Sequence, residues 1–102
     1  MVKELDMKSL MKELQKGKII ADFWAPWCGP CKMFTPVFEN VSKEVKDVTF
    51  IKVNVEENPD AASQLGISSI PCIIFFNNGE EVARVNGVQS EDGFKEKIDE
   101  VF

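Results

Sequence analysis

Histidine is missing from this chain, and with it the side chain that most often serves as a general base near neutral pH and as a zinc ligand. Any chemistry has to come from thiols, carboxylates and lysines. Thiols are scarce as well: three cysteines are too few, and of the wrong parity, for the disulfide framework of a small secreted domain, which points to a reducing compartment. Positive charge is outnumbered, with 12 Lys and Arg against 17 Asp and Glu and a net charge of −5, so there is no basic stripe for nucleic acid or anionic lipid. No apolar run approaches the roughly 20 residues of a membrane-spanning helix, and the N-terminal MVKELDMKSL lacks the apolar core of a signal peptide. Neither nucleic acid nor membrane is expected as a partner, and a cytoplasmic location is expected. Internal repeats, low-complexity tracts and linkers are absent too, and a length of 102 residues predicts one domain spanning 1–102.

What is there is a globular composition, 44% apolar, with clear local periodicities. Val2 to Leu5 reads as a short strand or the lead-in to a helix. Asp6 is placed to cap that helix, on which Leu10, Met11 and Leu14 recur before Gly17 stops it. Ile19 to Trp24 is apolar on both faces except for Asp22, the pattern of a strand covered on both sides. Phe34, Val37, Phe38, Val41 and Val45 then follow a helical period, with a kink expected at Pro36. Val48 to Val55 reads as the next strand, which makes a βαβ unit with a right-handed crossover.

Asn58-Pro59 offers a cap and first-turn proline for a short helix ending at Gly66. Ile70 to Phe76 is a buried strand that turns at Asn77-Asn78-Gly79 into Glu80 to Asn86, an antiparallel hairpin. Ser90 caps a last helix carrying Phe94, Ile98, Val101 and Phe102 on one face. The succession predicts an α/β fold with a central mixed β-sheet flanked by helices on both faces.

Cys28 and Cys31 fall three positions apart where the buried strand gives way to the long helix. Such a pair can hold a metal, close a structural disulfide or carry electrons. A zinc site needs four ligands, and only Cys72 remains to add to the pair, so no metal is expected. A static disulfide is poorly suited to a reducing compartment. A Cys-x-x-Cys beside a βαβ unit fits thiol–disulfide exchange. Asp22 is a second candidate on its own terms: a lone carboxylate in an apolar strand either reaches water at an edge or is kept for a function.

WCGPC, Trp27 to Cys31, resembles the active site of the thioredoxin family. The similarity continues with Asp22 six positions before the first cysteine, with Lys52, with Ile70-Pro71 and with Gly87, and so covers nearly the whole chain. The resemblance implies the thioredoxin fold and a protein disulfide reductase that binds no cofactor, its working group being a redox-active Cys28–Cys31 disulfide. The partners it implies are disulfide-containing client proteins and thioredoxin reductase, a flavoenzyme fed by NADPH or ferredoxin. A monomer is expected.

In that frame Cys28, at the start of the helix, is the nucleophile, because free N–H groups and the helix dipole favour its thiolate. Cys31, one turn along, resolves the mixed disulfide. Gly29 and Pro30 let the backbone bend between them and stiffen it. The resemblance further implies that Asp22 lies beneath Cys31 and accepts its proton, with Lys52 as its neighbour, and that the Ile70–Pro71 bond is cis. It also implies an apolar docking face of Trp27, Pro30, Ile70, Pro71, Gly87 and Val88. Trp24 reads as core and Trp27 as exposed. Cys72 departs from the family, which usually has threonine after that proline; its apolar neighbours read as a buried strand in which a thiol simply packs.

Overall fold

Lys18–Trp24 forms strand β2, and five consecutive residues of it, Ile19 to Phe23, are buried because the strand is covered on both faces. The computed structural model describes residues 1–102. Around β2 the chain runs β1 (Val2–Glu4), α1 (Met7–Glu13), β2, α2 (Gly29–Glu44), β3 (Thr49–Asn54), α3 (Asp60–Leu65), β4 (Cys72–Asn77), β5 (Glu80–Asn86) and α4 (Glu91–Val101). The five strands make one sheet in the order β1-β3-β2-β4-β5. β1, β3 and β2 are parallel, whereas β4 is antiparallel to β2 and β5 to β4. The sheet is therefore mixed, and β2 sits at its centre.

Alternation along the strands divides the core in two. Ile19, Ala21 and Phe23 of β2 pack with Met7, Leu10 and Leu14 of the α1 region and Ala61 of α3. Ile20 packs on the other face with Phe34, Phe38 and Val41 of α2 and Phe94 and Ile98 of α4. Phe94 is the hub of that second layer, with ring centroids 5.2 Å from Phe34, 5.8 Å from Phe38 and 6.3 Å from both Phe50 and Phe75. Three of these contacts are edge-on and the one with Phe38 is stacked, geometries that add to the burial itself.

Local signals acted as expected at several ends. Asp6 accepts from Ser9 N and Ser90 from Gly93 N, each capping a helix. Asn78 and Gly79, with φ of 51° and 90°, form the two-residue turn between β4 and β5, a geometry that asparagine and glycine adopt most readily. Val2–Glu4 takes the strand alternative, pairing with β3.

Two expectations are corrected. Pro59, not Asn58, stands at the N-cap of α3, and the Asn58 side chain instead accepts from Met7 N at 3.2 Å, tying in the start of α1. Helix α2 extends on both sides of Pro36, where a kink was expected. That residue is exposed, so the carbonyl deprived of its N–H partner can turn to water. Trp24 is half-buried at the end of β2, with its Nε1 donating to Glu4 Oε2 at 3.1 Å, and is not a core residue. No helix is long and apolar enough to cross a membrane.

Candidate active site

The cysteine pair lies where β2 leaves the sheet and α2 begins. Cys28 is the N-cap of α2, in extended backbone, and its sulfur accepts the Cys31 N–H at 3.2 Å. Gly29 and Pro30 occupy the first helical turn, where a proline's missing N–H leaves no intrahelical bond unmade. The pair is joined as a disulfide with Cα atoms 5.2 Å apart. Cys28 keeps 6% exposure and Cys31 none, so attack from outside reaches Cys28 first. Opened to thiols, Cys28 would sit among the free amides at the positive end of the helix, which favours its thiolate.

Facing Cys28 is the loop before β4. The carbonyl oxygen of Ile70 is 3.9 Å from Cys28 Sγ, and the Ile70–Pro71 peptide bond is cis. Pro71 itself is buried, and its carbonyl accepts the Gly87 N–H at 2.8 Å. It braces the rim of the expected docking face from beneath. Gly87 takes a φ of 93°, a turn that a side chain would strain. Trp27, 68% exposed, Pro30 and Val88 carry exposed apolar surface, while Ile70 is half-buried against the cysteine cluster. No surface cleft is lined by either cysteine; the largest runs between α1 and α3, past Met7 and Met11. The site is a barely exposed sulfur beside an open apolar surface.

Asp22 lies inside the sheet on the α2 face, since its strand neighbours in register are Lys52 on β3 and Ile73 on β4, and Ile73 packs with Phe34 and Phe38. It is fully buried, and neither carboxylate oxygen has a hydrogen-bond partner. Burial pushes its carboxyl up to about 7, against the opposing pull of Lys52, with Glu4 adding to the rise. A carboxyl in that condition can take and release a proton near neutrality.

Lys52 is also buried and does not reach out to solvent. Its Nζ donates to Thr35 Oγ1 at 3.1 Å and stands 4.2 Å from the centre of the Trp24 ring. Thr35 in turn donates to the Cys31 carbonyl at 3.1 Å. Thr35 and Glu4 escaped the sequence reading. For Thr35 a signal existed, since a residue four after Cys31 shares its helix face; for Glu4 there was none.

Cys72 is free, fully buried and on the opposite face of the sheet, packed with Phe23 and Ile74. Burial raises its thiol above the ordinary range, which makes it a poor nucleophile. No cluster of three or more His, Cys, Asp or Glu residues could hold a metal ion.

A disulfide at a helix N-terminus, presented on a mixed α/β sheet, defines a thiol–disulfide oxidoreductase. The thioredoxin family model matches residues 1–100. The chain is 45% identical over 92 residues to a thioredoxin of Chlamydia caviae, covering 90% of each chain. It is 46% identical over 81 residues to one of Rickettsia felis, covering 78% of this chain and 77% of the relative. The chain belongs to the thioredoxin family, and exchange at a dithiol–disulfide pair is its chemistry.

Proposed function

We propose that this protein, acting as a single-domain monomer, reduces disulfides in client proteins, with Cys28 as nucleophile, Cys31 as resolving thiol and Asp22 as proton acceptor. The observation that carries the reading is the pairing of an accessible sulfur at a helix start with a shielded partner one turn on. In the first step the Cys28 thiolate attacks a client disulfide, forming a mixed disulfide and releasing one client thiolate. In the second, Cys31 gives its proton to Asp22 and its thiolate attacks the Cys28 sulfur. The Cys28–Cys31 bond forms, the bond to the client breaks, and the second client thiolate leaves and is protonated. Two electrons pass from the dithiol to the client.

Clients are proteins rather than small disulfides, because an open apolar surface without a cleft suits an extended chain. Trp27, Pro30, Ile70, Gly87 and Val88 supply that surface, Pro71 supports it from within, and Gly29 and Pro30 hold the spacing of the two sulfurs. A flavoenzyme of the thioredoxin reductase class returns the dithiol, no cofactor is bound, and the cytoplasm is the site of action. Reduction of insulin disulfides with dithiothreitol as donor tests the proposal. Catalytic amounts should speed precipitation of the freed insulin B chain, and a rate no greater than that of dithiothreitol alone would reject it.

A further inference from the structure

Asp22 and Lys52 are the only buried charged side chains in the protein, and they are register partners on adjacent strands. In a medium of low dielectric an ion pair between them would be the expected outcome. None forms: Asp22 has no polar partner, and Lys52 is occupied elsewhere. What occupies it is the Thr35 hydroxyl. Because that hydroxyl spends its proton on the Cys31 carbonyl, its lone pairs are turned toward the ammonium. Below, the Trp24 ring supports the same charge and is itself anchored by the bond from its Nε1 to Glu4.

The other groups around Asp22 do not compensate it. From β1 comes Glu4, a like charge. β4 presents Ile73 on this face while its Cys72 points to the other. α2 and α4 bring Phe34, Phe38, Phe94 and Ile98 to this face of the sheet, and none of them carries a charge. Beyond burial itself, the Lys52 ammonium is the one charge that favours the ionised carboxyl, and its position sets how strongly.

We propose that Thr35 is a positioning residue: by holding the Lys52 ammonium against α2 it keeps that charge off the Asp22 carboxylate, so that Asp22 stays unpaired and basic enough to take the Cys31 proton. A direct ion pair would stabilise the carboxylate and weaken it as a base. The inference rests on the reading of Asp22 as proton acceptor, and the test separates the two.

The variant is Thr35→Val, which keeps the branched shape and removes the hydroxyl, with Thr35→Ala as a second form should valine disturb packing and Thr35→Ser as the conservative rescue. The primary readout is the pH titration of the Asp22 carboxyl carbon by NMR in the oxidised protein, where Cys28 and Cys31 are silent. With valine or alanine the freed ammonium turns to its register partner, and the midpoint should fall by about one pH unit, near tenfold in proton affinity. Thr35→Ser should hold the parental midpoint, and adding Lys52→Met to Thr35→Val should abolish the fall. The acid limb of mixed-disulfide resolution, followed by stopped flow, should move down in pH with the midpoint. A folded Thr35→Val or Thr35→Ala protein whose Asp22 midpoint is unchanged or raised overturns the proposal. If instead Asp22→Asn leaves the resolution profile as in the parent, the proton-acceptor reading fails while the effect of Thr35 on the carboxyl is still read by NMR.

Discussion

Asp22 and Lys52 face each other across β2 and β3, both buried, yet the ammonium points to Thr35 and the carboxylate is left without a partner. A fold that keeps such a carboxylate gives up stability whenever that group is charged.

The pH dependence follows from the direction of the shift. The carboxyl is raised from an ordinary 3.8 to about 7, so the folded state holds the proton more tightly than the unfolded chain does. The penalty is absent below about pH 4, grows as the pH climbs toward 7, and is fully present above it. Asp22→Asn should therefore raise the unfolding free energy at pH 8 by an amount on the order of 3 kcal/mol, with the gain shrinking toward zero near pH 4. Urea unfolding of the oxidised protein at the two pH values measures this, and an equal difference at both would show that ionisation is not the cause.

Cys31→Ser should leave client proteins attached to Cys28 as stable mixed disulfides, because the second thiol is then missing. Cys28→Ser should capture none, since Cys31 is fully enclosed. Non-reducing gels of each variant after incubation with oxidised insulin distinguish the two; capture by the Cys28→Ser form would reverse the assignment.

Cys72 lies across the sheet from the redox pair, among Phe23 and Ile74. It should stay reduced when the protein is oxidised in air, and Cys72→Thr should keep activity within about twofold of the parent, as a small buried residue exchanged for one of similar size. Mass spectrometry of a digest made under exchange-blocking conditions would refute this by showing a Cys72-containing disulfide as a major species.

Phe94 joins α4 to α2 and the sheet through four aromatic neighbours. Phe94→Ala should destabilise the protein by about 3–5 kcal/mol. Calorimetry should show a fall in Tm well beyond that of Val82→Ala, whose side chain is 47% exposed; similar losses at both positions would remove Phe94 from the centre of the core.

Much of the architecture was legible because its signals are short-range. Short β-branched and aromatic apolar runs and period 3.6 separate strand from helix within a few residues, Asp6 and Ser90 cap through the N–H three positions on, and Asn78-Gly79 turns a hairpin by its own backbone preference. The site was legible in part for the same reason, since WCGPC is contiguous and places one cysteine at a helix start and the other a turn later.

What the tertiary structure alone decided depends on register between distant segments. The β2–β4 pairing sets Cys72 beside Phe23 and Ile73 beside Asp22, and so sends the third thiol to the far face; β4 read by itself, apolar throughout, does not say which of its faces meets which helix. Lys52 meets Thr35 across 17 positions and Trp24 meets Glu4 across 20, contacts that exist only once β1, β3, β2 and α2 are stacked. Chain-local preferences specify elements, while the direction in which a buried charge points is chosen by whichever acceptor packing brings within reach; here that acceptor is a hydroxyl on the redox helix.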